Sequence, residues 1–298
     1  MRMINALTIV LALVLVVSVS AIWFNSSVQD FMDANTNWNG IQDFYRQFDI
    51  TSTTRLSDLN EVTRAGTLVV IPYLPYAEHE IDGLDAFVRR GGTILMMDDF
   101  GFGNTLLERF GIETRFSSEL LLDPLFCDRN PLLPRVSIFD GEISERGISL
   151  VTLNRATSLA GAEDEHVLAW SSPSSYLDVN RNGMQDAEEP KGSMALAAAY
   201  TLGEGTLVLV SDPSLAINTM LTRGDNEAFL GYLLSLGNST GDVLLDRSHL
   251  VESTLDVSKT MLLALEKTLS KPHAMVGVVA MVILVVSLNV VGKGNRIG

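Results

Sequence analysis

Cysteine is nearly absent: Cys127 is the only one in 298 residues, which excludes an intrachain disulfide framework. Basic residues are scarce too, with 21 Lys and Arg against 36 Asp and Glu and a formal net charge of −15. A surface of that sign repels nucleic-acid phosphates and attracts cations, so no nucleic-acid partner is expected. The four histidines form no zinc motif, and neither a phosphate loop nor a dinucleotide fingerprint occurs. No internal repeat is evident.

Charge is missing altogether from two long stretches. From Ile4 to Phe24 the chain is dominated by Leu, Val, Ile and Ala, about the 20 residues that a helix needs to cross ~30 Å of hydrocarbon. A second such run spans Ala274 to Val291. Arg2, Lys293 and Arg296 lie just outside these runs, and the positive-inside rule then puts both termini in the cytoplasm and the central domain outside the cell membrane. Residues 24–272 keep 18 basic residues against all 36 acidic ones, a formal charge of −18. The expected order is a transmembrane helix or signal anchor at 4–24, an extracytoplasmic α/β domain at 25–245, an amphipathic stalk at 246–272 and a transmembrane helix at 274–291. Ser18, Ser20 and Ala21 would also suit a signal peptidase, which would leave the second run as the only anchor.

Between the apolar ends, an Asn-rich stretch at 35–40 precedes Ile41, Phe44, Tyr45 and Phe48 at helical spacing. The runs Thr67 to Pro72 and Thr93 to Met97 flank a helix pattern from Glu78 to Arg90, which predicts a parallel strand–helix–strand crossover. Both runs are apolar without alternation, as when helices cover both faces of a sheet. From Arg115 to Ala169 the pattern is irregular, with β-like stretches at 136–139, 149–153 and 166–170, and reads as a β-rich elaboration. Two further runs, 194–200 and 206–211, are joined by Leu202-Gly203-Glu204-Gly205, which suits a tight hairpin. Helical patterns at 215–221 and 227–236 and a short strand at 243–245 complete the domain.

Two of these stretches carry a resemblance. Residues 67–111, with Phe87-Val88-Arg89-Arg90-Gly91-Gly92-Thr93 and the following Asp98-Asp99, resemble the class I glutamine amidotransferase-like domains. Lys191-Gly192 through Ser211-Asp212-Pro213-Ser214 and Asn218 resemble the membrane-anchored domain-of-unknown-function family 4350. The resemblance covers most of 40–245. It implies a flavodoxin-like, mainly parallel sheet with helices on both faces, and it implies a fold more than an activity. In active amidotransferases a cysteine occupies a sharp strand-to-helix turn and is activated by a histidine. The equivalent turn here is Asp98-Asp99-Phe100-Gly101-Phe102-Gly103, which holds no cysteine, serine or threonine.

The most specific motif runs from Asp178 to Glu189. A twelve-residue calcium loop draws oxygen ligands from positions 1, 3, 5, 7, 9 and 12 around a glycine at 6. Asp178, Asn180, Asn182, the Met184 carbonyl, Asp186 and bidentate Glu189 fall on those positions, with Gly183 at the glycine. Structural Ca2+ is therefore the expected cofactor, against the blander reading of an Asn-rich surface turn. A second constellation joins Asp98, Asp99, Gly101 and Gly103 to Asp212, Ser214 and Asn218, at the carboxyl ends of two strands where open α/β sheets take ligands; helix capping is its plain alternative. Cys127 reads as structural, since only Arg129 stands near it to favour a thiolate.

The function expected from these residues is a non-catalytic extracytoplasmic binding or assembly module of a membrane protein, with a protein partner in a membrane complex or a surface glycan. One rival is a hydrolase using Asp99, Asp212 and His249; another is an accessory subunit of a transporter.

Overall fold

The computed structural model describes residues 2–54, 56, 66–237 and 241–269. The second apolar run, 274–291, lies outside them. The chain divides into two compact units, 27–251 on one side and the flanking segments on the other.

In the larger unit eight strands form one sheet: β1 (Thr51–Thr53), β2 (Thr67–Val70), β3 (Thr93–Met97), β4 (Ile138–Phe139), β5 (Val167–Trp170), β6 (Ala195–Leu202), β7 (Gly205–Val210) and β8 (Val243–Asp246). Their order is β1-β8-β2-β3-β7-β6-β5-β4. The first five are mutually parallel and the last three add on antiparallel. The chain is thus a mixed α/β protein with a mainly parallel central sheet. The β-rich elaboration is partly an extension of that sheet, because β5 and β4 continue it beyond the β6–β7 hairpin.

β2 and β3 are buried at every position, and successive residues serve opposite faces. Val69, Leu95, Met97, Val208 and Leu245 pack in one cluster, beneath Phe44, Met220, Leu221, Phe229, Leu230 and Leu233. Leu68, Val70, Ile94, Met96, Leu207 and Leu209 pack in the other, beneath Leu84, Phe87, Val88, Leu106, Leu107 and Phe110. The first lid comes from helices α1 (Gln42–Gln47), α4 (Asn218–Leu221) and α5 (Asn226–Ser235), the second from α2 (Glu78–Arg89) and α3 (Asn104–Phe110). Such two-sided cover is why the strands lack polar alternation. The hairpin turn also needs its glycines. A Cβ on Gly205 would lie 2.0 Å from the Val88 carbonyl oxygen, and Gly203 holds φ +63 against the backbone of Arg89.

Residues 246–251 stay with this unit rather than starting a stalk: the Tyr73 and Leu74 amides donate to the His249 carbonyl and the Arg247 amide donates to Thr53. The other unit holds the helices Arg2–Phe24 and Thr254–Leu269, where Lys259 donates to the Asn25 carbonyl. Among the described residues, no helix is long and apolar enough to cross a membrane; the side chains of residues 2–9 and 12 lie outside that description. The expected flanking transmembrane helices are therefore not borne out here, because the first is described only in part and the second not at all.

Candidate functional site

The turn after β3 is built by Asp98. Its Oδ1 accepts the amides of Phe100 (2.8 Å) and Gly101 (3.0 Å), and its Oδ2 accepts that of Gly103 (2.7 Å). Burial pushes this carboxyl up in pKa while those hydrogen bonds pull it back. Gly101 holds φ +85, a conformation that favours glycine, and both glycines lie close against side chains. A Cβ on Gly101 would meet the Ser118 hydroxyl at 2.2 Å, and one on Gly103 would meet Met96 Sδ at 2.7 Å. Asp212, after β7, plays a similar part: Oδ1 accepts the Ser214 amide at 2.8 Å and Oδ2 the Asn154 amide at 2.6 Å. It is wholly buried, and burial raises its pKa to about 7. Asp98, Gly101, Gly103, Asp212 and Ser214 thus shape the backbone of the crevice.

Asn218 does something else. Its amide nitrogen donates to the carbonyls of Asn35 (3.2 Å) and Asn37 (2.7 Å), and its oxygen accepts the Asp43 amide (3.0 Å). It pins the Asn-rich segment to the domain, and this occupation of both ends of the amide removes it from the ligand-facing set.

Asp99 is the member of the group left facing the crevice. Its Oδ1 is buried without a hydrogen-bond partner. Burial first, then the charges of Asp212 and Asp98, push its pKa up to about 8, with Arg155 pulling the other way. Asp99 lines a cavity of about 280 Å3 together with Phe100, Glu119, Arg155, Asp178 and Arg181. The calcium-type loop and the carboxyl edge of the sheet, separate in sequence, therefore share one crevice. Of the six non-glycine residues with positive φ among the described residues, Ser118 (φ 66), Arg155 (φ 59) and Arg181 (φ 60) all line it. Such backbone costs of order 1–3 kcal/mol each and collects where a site imposes it.

The loop itself closes on an antiparallel neck. Tyr176–Asp178 pairs with Leu120–Leu122, the Leu177 amide donates to Pro190 and the Gly192 amide donates to Ser175. Inside it, Asp178 accepts the amides of Asn182 (3.0 Å) and Gly183 (2.9 Å), and Asn182 Oδ1 accepts the Met184 amide (2.7 Å). Asn180 Oδ1 accepts the Asn182 amide (3.0 Å). Asp186 accepts the side-chain amides of Asn180 and Asn182, and Glu189 accepts the Val179 and Asp186 amides, one on each oxygen. Gly183 holds φ +76 in open space, so the turn demands glycine for conformation alone. The oxygen donors suit a hard cation such as calcium. Among the described residues, the three-residue His, Cys, Asp or Glu group whose ligand atoms lie within 4.8 Å of one another is instead Glu163, Glu165 and His166, which no sequence spacing had suggested.

His249 is buried and engaged. Its Nδ1 lies 2.7 Å from Asp246 Oδ2, its Nε2 lies 3.3 Å from Glu80, and its ring stacks on Tyr76. Burial opposes its charge, but Asp246 and Glu80 prevail and its pKa is raised. Sequence reasoning also missed Asp123. This buried carboxylate accepts the hydroxyls of Ser172, Ser174 and Ser175 and the amides of Leu125 and Phe126. Those bonds outweigh burial and hold its pKa low, and they fix the strand Leu120–Leu122 that walls the crevice. Cys127 is a half-buried free thiol.

The profile of the family described as "Domain of unknown function (DUF4350)" matches residues 33–234. The chain belongs to the DUF4350 family. That span contains the crevice and the twelve-residue loop, so both are features of the DUF4350 domain of this chain. No curated protein matches it. Among solved structures it is similar to "mmIFT52 N-terminal domain" at 16% identity and TM-score 0.47, covering 62% of this chain and 82% of that one. It is similar also to the exo-beta-1,4-mannosidase Op5Man5 from Opitutaceae bacterium strain TAV5 at 12% identity and TM-score 0.33, covering 58% of this chain and 26% of that one. A beta-galactosidase from Bacillus circulans sp. alkalophilus matches at 10% identity and TM-score 0.34, covering 56% of this chain and 22% of that one.

Proposed function

We propose that this DUF4350 protein is a membrane-anchored, non-catalytic binding module that holds its crevice outside the cytoplasm. The observation that carries the reading is the crevice itself: both signs of charge, an unpartnered buried carboxylate oxygen on Asp99 and three positive-φ residues converge on it. The turn after β3, where the resembled class I amidotransferase-like fold would carry a nucleophile, presents Asp99 and Phe100 instead. Asp99 and Asp212 do influence one another, as the hydrolase rival requires, but both ring nitrogens of His249 are engaged by Asp246 and Glu80. A hydrolase of that design would need His249 free to work beside Asp99 at a substrate proton. The helix Arg2–Phe24 is 23 residues long, roughly 34 Å at 1.5 Å per residue, which supports its service as an anchor beside the apolar run 274–291. Calcium in the loop 178–189 would stiffen one wall of the crevice.

The test is the full-length protein purified from gently solubilised native membranes, as wild type and as Arg155→Gly. Glycine accepts the positive φ at 155, so the variant keeps the backbone conformation while removing the side chain and its guanidinium. A stoichiometric companion molecule present with the wild type and lost with the variant supports the reading; identical, companion-free preparations overturn it.

A further inference from the structure

The crevice has a continuation that its charged residues do not explain. Phe100, at its mouth, stacks on Phe102 at 5.9 Å and meets Tyr73 edge-on at 5.5 Å; Tyr73 in turn meets Phe31 at 5.6 Å. Phe100 and Phe102 are 52% and 51% exposed. Phe31 and Tyr73 line a second cavity of about 170 Å3, with Gln29 and Asp30. Phe31 too holds a positive φ, of 57°. Four aromatic rings, of which Phe31 is buried, thus form a continuous row from the charged cavity to a smaller one lined also by Leu250 and Val251.

We infer that the row and its two cavities form a binding track for a neutral oligosaccharide, a conclusion that rests on the crevice being a ligand site. Each part of the surface answers to part of that chemistry. An exposed aromatic face takes the apolar C–H face of a pyranose ring. Carboxylates accept from its hydroxyls, and guanidinium groups donate to them in pairs. Asp99, Glu119, Arg155 and Arg181 supply both roles in one cavity, and Asp30 and Gln29 supply them in the other. Burial, and after it the charges of Asp99 and Asp30, raise the Tyr73 pKa and keep it a neutral phenol. A polyanion would be repelled by a chain of net charge −15. The larger cavity sets Arg155 and Arg181 against Asp99, Glu119 and Asp178, so it suits a neutral ligand with both donors and acceptors better than one of either charge. A peptide added as a strand requires a sheet edge, whereas this row crosses the strand ends. Two cavities joined by rings suit a ligand longer than one sugar.

The experiment uses the full-length protein in lipid nanodiscs, free of sugar-based detergent, titrated calorimetrically with β-1,4-linked hexaoses of glucose, mannose and galactose. At least one hexaose should bind at least tenfold more tightly than its disaccharide. Phe100→Ala should weaken it at least tenfold, and Phe100→Trp should restore it; because Phe100 is half exposed, neither change should alter the melting temperature. Absence of binding by all three hexaoses at millimolar concentration overturns the inference. Free amino acids serve as the control: if they raise the melting temperature of the wild type and not of Arg155→Gly, the crevice stands as a site and the oligosaccharide falls. Should no probe shift the wild type, the oligosaccharide falls, and the crevice as a site is decided by the companion-molecule test above.

Discussion

Asp99 carries an energetic cost of burial that no hydrogen bond to its Oδ1 offsets. Unfolded, it titrates near its ordinary 3.8; folded, near about 8. Between those values the native chain holds a proton that the unfolded chain has released, so stability falls as pH rises from the ordinary carboxylate range toward 8. Asp99→Asn removes that cost. Thermal melts should show the variant several degrees more stable than wild type at a pH of about 9 and indistinguishable from it at a pH of about 4. Asp212→Asn should not behave this way. Its two oxygens each accept a backbone amide, and the new NH2 group would confront one of those donors. Gly205 marks the opposite extreme, a residue whose importance is purely steric. Gly205→Ala would press a methyl group against two fixed carbonyls and should cost at least ~1–3 kcal/mol. At roughly 2–4 °C per kcal/mol, a calorimetric scan reads that directly.

At the scale of elements, the crossover β2–α2–β3 was legible because its strands are unbroken apolar runs and its helix shows one apolar face. The hairpin was legible from its glycines. The joining of β4 and β5 to the main sheet was not, because antiparallel strands of two and four residues leave no periodic signal. The wall of the crevice was hidden for another reason. Leu120–Leu122 and Tyr176–Asp178 are three residues each and far apart in sequence, and what holds them is a single carboxylate, Asp123, caged by serines. The two halves of the crevice were each visible as motifs, yet their meeting depends on that pairing. The twelve-residue loop offers the element-scale test. Calcium, and not magnesium, should raise the melting temperature of the wild type, and Asp178→Ala should abolish the rise. Extracellular loops of this type bind at ~10⁻⁴–10⁻³ M, so the titration must reach millimolar. A melt indifferent to calcium reduces the loop to a turn.

At the scale of the whole molecule, the anchor reading rests on composition at both ends and on the length of the first helix. The full chain should stay in the membrane pellet after alkaline carbonate extraction; release into the supernatant would overturn the anchors. Residues 27–251 form a compact unit with both hydrophobic clusters inside it, and should melt cooperatively without the flanking segments.

The outermost strands of the sheet, β1 and β4, are three and two residues long. A sheet invites a neighbour only through a run of unpaired amides and carbonyls, and these rims offer almost none. On the proposed anchoring, copies sharing a bilayer would meet far more often than in free solution, and that brevity is then a safeguard. Rims this short disfavour zipping of neighbouring chains edge to edge, which keeps copies separate and their crevices open.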